Sequence, residues 1–133
     1  MFGGFTLLLS CTKDYVCPIP NIDLFSFDVY VPTDQILTAQ RKPGGYKEHG
    51  IIVYHYYDGE VHAFDATCPN SEECMEQGVV VCDGDGLVTG TCKRCTSQYY
   101  LRDGKHLNKR VALRPYNVQR IPNTKEQYRI SNH

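Results

Sequence analysis

Seven cysteines fall within 133 residues: Cys11, Cys17, Cys68, Cys74, Cys82, Cys92 and Cys95. Thiols at that density are too many to be incidental packing. They form disulfides, bind metal or carry redox chemistry, and each use pulls distant stretches of chain together. Setting Cys11 aside leaves six, an even number whose pairings the sequence does not rank, so a disulfide framework competes with every metal reading.

The rest of the composition narrows the scaffold. A chain of this length fits one domain, which usually runs to about 100–200 residues. Fourteen Lys+Arg against fifteen Asp+Glu leave a net charge of −1 with both signs interspersed. That pattern lacks the basic patch a nucleic-acid binder needs. No run approaches the ~18 consecutive apolar residues of a membrane span. Ten Tyr, eleven Gly and seven Pro against two Met favour strands and turns over helix.

Strand signals recur at fairly even spacing. Residues Phe25 to Val31 alternate with period two, as a half-buried strand does. Leu37 to Lys47 is irregular, with a turn at Pro43-Gly44-Gly45. The run Ile51 to Tyr57, then Asp58-Gly59, then Glu60 to Phe64 predicts a hairpin closed by a two-residue type I′ turn. Such a turn sets His55 opposite His62, as a polar, solvent-facing pair about 5 Å apart at Cβ. Further hairpins are predicted around Asp83-Gly84-Asp85-Gly86, before Asp103-Gly104, and at Pro122-Asn123. No segment sustains a 3.6-residue period, and the whole reads as an all-β antiparallel sandwich or small barrel.

At the N-terminus, residues 1–10 carry no charged side chain and end in Leu8-Leu9-Ser10-Cys11. This resembles the lipobox of a bacterial lipoprotein, although no basic residue precedes Cys11 and the apolar part spans only Phe5 to Leu9. The resemblance implies a partial signal over 1–10, lipidation at Cys11 and a Pro-broken tether over 11–23. The β domain then occupies 24–133, anchored at the bacterial cell envelope, an oxidising compartment where disulfides persist.

The remaining cysteines cluster in two strand-end loops. Cys68 follows the second strand of the first hairpin, and Cys92-Lys93-Arg94-Cys95 follows the second strand of the next. A C-x2-C pair is a chelating knuckle because both sulfurs can point at one ion about 2.3 Å away. Cys68 and Cys74 bring the thiolates to four. Cys82 sits in mid-hairpin and reads as structural.

The stretches Ala63 to Asn70 and Cys92 to Tyr99 resemble a Rieske domain, whose first loop reads C-x-H and whose second reads C-x2-H. The resemblance covers residues 50–132. It implies that Cys68 and Cys92 match the family's ligand cysteines of a [2Fe–2S] cluster, and that Ser97 and Tyr99 match its second-loop Ser and aromatic. Asn70 and Cys95 stand where the two histidine ligands belong. The expected site is therefore an all-cysteine one of Cys68, Cys74, Cys92 and Cys95.

Three occupancies stay open for these sulfurs. One is a low-potential iron–sulfur centre serving a redox partner protein, the second is a closed zinc tetrahedron, and the third is disulfides, paired Cys68 with Cys74 and Cys92 with Cys95 or crosswise. A thioredoxin-like use of Cys92 and Cys95 lacks the βαβ setting. No G-x-S-x-G, H-E-x-x-H or P-loop is present, no small-molecule substrate is indicated, and a closed four-sulfur set leaves no open position for catalysis by this domain alone.

Overall fold

The computed structural model describes residues 11, 14–21, 24–57 and 59–133. Among these residues nine strands follow in chain order: β1 (Ser26–Tyr30), β2 (Thr38–Lys42), β3 (Ile51–His55), β4 (Val61–Asp65), β5 (Val80–Cys82), β6 (Thr89–Cys92), β7 (Gln98–Tyr100), β8 (Pro115–Arg120) and β9 (Gln127–Ser131). Among the described residues one α-helical turn, α1 (Ser71–Cys74), interrupts them. All pairings between these strands are antiparallel. Six form one sheet in the order β1-β9-β8-β4-β3-β2, and β5-β6-β7 form a second. The expected all-β antiparallel architecture is what the chain adopts.

The larger sheet curls until its two edges approach, and the Gln40 amide on β2 donates to the Tyr30 carbonyl on β1 at 2.6 Å. Val29, Ile51, Val53, Val61, Ala63, Tyr116, Tyr128 and Ile130 fill one cluster. The opposite face of β3 and β4 presents Ile52, Tyr54 and Phe64 to a second cluster, shared with Val80, Tyr99, Leu101 and Leu113. Both faces of β3 are therefore covered, which explains a run of five buried residues in place of strict polar alternation.

The first hairpin corrects the turn expected at Asp58-Gly59. Tyr54 pairs with His62 and His55 with Val61, one residue out of the expected register. The Tyr56 amide donates to the Glu60 carbonyl and the Glu60 amide to the Tyr57 carbonyl, each at 2.8 Å. Three residues thus form the loop, with Gly59 at φ +76° supplying the left-handed position; Asp58 itself lies outside the described residues. Because side chains alternate, this slip puts His55 and His62 on opposite faces. His55 is buried against the Gln35 carbonyl at 2.9 Å, and His62 meets Glu60 at 2.7 Å, so they form no pair.

Two further expectations change. Residues 38–42, read as irregular, form β2, an edge strand whose polar side chains carry no alternation. Its state is imposed by hydrogen bonding to β3. The segment read as a tether is seated on the domain: Val16 bridges Val111, Ile19 is buried, and Arg114 donates to the Ile19 and Cys17 carbonyls. The expected signal over 1–10 lies outside the described residues. Cys11 is joined to Cys17 in a disulfide.

At the end of β4, buried Asp65 anchors the chain that leads into the cysteine loops. Its carboxylate accepts the Tyr116 hydroxyl and the Tyr46 amide, both at 2.6 Å, and the Thr67 amide at 2.9 Å. Removing it strands these donors, two of them on buried residues, so Asp65→Ala is expected to cost about 3 kcal/mol. Urea unfolding checks this; a loss under about 1 kcal/mol would show that the anchor is dispensable.

Candidate metal centre

The four sulfurs singled out in the sequence meet at one point. Sγ of Cys68, Cys74, Cys92 and Cys95 all lie within 4.8 Å of one another, three of them on buried residues and Cys95 half-buried. Two of the contacts between the loops are 3.3 Å for Cys74–Cys92 and 3.7 Å for Cys68–Cys95. All four are free thiols here, as is Cys82, which lies apart from the group with its sulfur 3.6 Å from the Gly84 carbonyl. No histidine belongs to the group.

Local backbone geometry produces this convergence. The Cys68 amide donates to the Gly78 carbonyl, closing the first loop at its base. Within it, the Cys74 amide donates to the Asn70 carbonyl at 2.8 Å, and this one turn of helix carries Cys74 back toward Cys68. Met75 and Glu76 then adopt left-handed conformations, φ +48° and +65°, reversing the chain toward Gly78. The second loop is tighter: the Cys92 amide donates to the Ser97 carbonyl and the Thr96 amide to the Cys92 carbonyl. Thr96 sits at φ +63°, which a β-branched residue rarely adopts. In each loop, then, the residue after a cysteine carries left-handed strain, at a cost of order 1 kcal/mol apiece.

Gly78 carries no signal in the sequence, yet it shapes the site. A Cβ there would lie 2.4 Å from Cys92 Sγ and 2.6 Å from Cys74 Sγ. Only a residue without a side chain lets this backbone pass so close to the sulfurs. Nothing short of the folded loop reveals that requirement.

Polar groups surround the sulfurs. The Tyr99 hydroxyl lies 3.1 Å from Cys68 Sγ, and the Arg94 amide donates to Cys92 Sγ at 3.4 Å. Ser97 Oγ is 3.2 Å from Cys95 Sγ. Buried Asn70, at the place of the Rieske family's first histidine, donates to Ser97 Oγ at 2.9 Å and to Glu73 at 2.8 Å. Ser97 Oγ accepts from the Asn70 amide and from the Cys95 thiol. Burial pushes the Cys68 thiol up to about 12, against the lowering bond from Tyr99. Burial also raises Cys74, and the neighbouring thiols of Cys95 and Cys92 add to it. Burial pulls Cys95 the same way, but hydrogen bonds from Ser97, Cys74 and Cys68 outweigh it and bring that thiol down to about 7.

Four thiolates around one tetrahedral ion at about 2.3 Å stand about 3.8 Å apart, so these sulfurs need only small adjustments to close on a single ion. A two-iron cluster divides its ligands between two metals separated by bridging sulfides, which spreads the pairs. The histidines of a Rieske site are absent from the group, and no two of the four sulfurs are more than 4.8 Å apart. The residues present suit one thiolate-bound ion and do not fit a Rieske cluster.

No protein-family model matches the chain, and no curated protein sequence matches it. Among solved structures it is similar to an NADH-dependent nitrite reductase small subunit from Mycobacterium tuberculosis, with 18% identity, 85% of this chain and 98% of the other covered, and a TM-score of 0.49. It is likewise similar to the ferredoxin of carbazole 1,9a-dioxygenase from Nocardioides aromaticivorans IC177, with 19% identity, 77% and 95% covered, and a TM-score of 0.45. The chemistry open to this chain is set by its own four sulfurs and not by these likenesses.

Gly78→Ala should weaken metal binding by more than about tenfold in a chelator competition, since clearing the clash requires moving two ligands. Cys82→Ser should leave both affinity and stoichiometry unchanged. Because Cys68 and Cys74 keep their protons well above neutral pH without metal, binding at pH 7 must release at least two protons. Affinity should then fall about a hundredfold for each pH unit of acidification near neutrality. Calorimetry in buffers of different ionisation enthalpy reads the proton count directly.

Proposed function

We propose that this chain is a metal-centre domain in which Cys68, Cys74, Cys92 and Cys95 hold a single divalent ion on a Rieske-like β scaffold. Zinc is the occupant that a closed, all-thiolate, tetrahedral set suits best. The observation that carries the reading is the mutual approach of all four sulfurs within 4.8 Å. The ion would tie α1 to the β6–β7 loop and so close the smaller sheet's end of the molecule. Within the domain its role would be structural, with no open position for a substrate.

A second reading keeps the sulfurs and changes the ion. One iron in the same four thiolates would make a one-electron carrier serving a redox partner protein. The Tyr99 hydroxyl at Cys68 and the Arg94 amide at Cys92 favour it, since hydrogen bonds to sulfur tune the potential of thiolate-bound iron, and half-buried Cys95 brings the centre near the surface. Metal analysis after anaerobic purification decides. One zinc per chain without colour supports the first reading, and one iron with thiolate-to-iron absorption supports the second. Two irons with two labile sulfides would overturn both and restore the cluster.

The envelope location is a proposal that rests on Leu8-Leu9-Ser10-Cys11. One sulfur cannot hold a lipid thioether and a disulfide together, so an anchored chain has Cys11 lipidated and Cys17 as a free thiol. Mass spectrometry of the protein from bacterial membranes is expected to find a diacylglyceryl Cys11 peptide. A Cys11–Cys17 cross-linked peptide in the soluble fraction would refute the anchor.

A further inference from the structure

A cavity of about 300 Å³ opens beside the one half-buried cysteine of the centre. Glu73, Cys95, Ser97, His106 and Lys109 are among the residues that line it. His106 is more than nine-tenths buried. Its Nδ1 accepts the Asn108 and Lys109 amides at 2.9 and 3.0 Å, which leaves the ring proton on Nε2. That Nε2 is the one buried side-chain nitrogen or oxygen among the described residues without a hydrogen-bond partner. A buried donor left unpaired costs free energy, and a ligand oxygen in the cavity could relieve that cost. Cys95 Sγ stands 3.7 Å from Cys68 Sγ, in the adjoining loop.

We propose that Cys95 is an oxidation site for small hydroperoxides, with Cys68 as its resolving thiol, and that its reaction ejects the ion; this rests on the single-ion reading of the four sulfurs. The Cys95 thiolate attacks one peroxide oxygen. An S–O bond forms, the O–O bond breaks, and an alkoxide or hydroxide leaves and takes a proton from water. The Cys68 thiolate then attacks the Cys95 sulfur, the S–S bond forms, and hydroxide leaves. Two electrons pass from the two thiolates to the peroxide. Closing the bond requires the sulfurs to move from 3.7 Å to about 2.05 Å, a shift the hairpin turn at Cys95 can supply. The ion keeps only Cys74 and Cys92 and dissociates. These two, 3.3 Å apart beside Gly78, line no part of the cavity and would pair only afterwards.

The test uses the full chain loaded with zinc and treated with hydrogen peroxide in the presence of a chromogenic zinc chelator. One ion should be released for every two thiols lost, with a Cys68–Cys95 peptide in the unreduced digest. A phosphine reductant should restore both thiols and rebinding. His106→Gln should bind zinc equally but release it about fivefold more slowly, the rate equivalent of one modest hydrogen bond; an unchanged rate removes His106 from the proposal. A first cross-link between Cys74 and Cys92, or oxidation confined to Cys82 while the ion stays, would overturn the site. A chain that takes up no zinc refutes the metal reading instead, and the cross-link mapped on that same chain still decides whether Cys95 and Cys68 react together.

Discussion

Four thiols gathered in one largely dry corner are the constraint on which the rest of this structure turns. Unliganded, they offer little: sulfur is a weak hydrogen-bond partner, and burial holds Cys68 and Cys74 in the neutral form. Liganded, they become the strongest single tie in the molecule. Structural zinc sites contribute apparent free energies of about 10–16 kcal/mol at neutral pH, against a total folding stability of about 5–15 kcal/mol for an ordinary domain. A tie of that size can carry the left-handed residues Met75, Glu76 and Thr96. It also gives reason for Gly78, whose missing side chain is the space the sulfurs use.

The scaffold delivers these loops through a division of labour between two cores. Inside the curl of the larger sheet, Tyr116, Tyr128 and Ile130 pack with β3 and β4, while Asp65 ties β8 to the start of the first loop. On the other face, the second cluster runs from Ile52 and Tyr54 through Tyr99 directly to Cys68, Cys74 and Cys92. The sulfurs are thus part of a hydrophobic core. Small changes in that core's packing reach the site through Tyr99, which touches both the core and Cys68.

Much of the architecture was legible from local chemistry. The β-branched and aromatic runs marked β1, β3, β4, β8 and β9, and the glycine- and proline-containing turns marked most of their junctions. Short-range pattern failed where a strand's state is imposed by its neighbour, as at β2, and where docking depends on residues far along the chain, as with Ile19 beneath the Arg114 guanidinium. It failed by a single residue at Gly59. An Asp-Gly pair serves both two- and three-residue loops, and packing of alternate side chains on two cores selects between them.

By itself the sequence determined the residue types at the site, the β class of the scaffold and the two loops in which the thiols would stand. Composition and period-two alternation are local properties, and spacing alone makes Cys92 and Cys95 a chelating pair. Only the tertiary structure decided that these four thiols stay free of one another's disulfides, that Gly78 must lie against two of them, and that all four sulfurs converge within 4.8 Å. Those outcomes depend on one turn of helix, two reversals through left-handed residues and the packing of one sheet on another. They are distances between parts of the chain that no local spacing specifies.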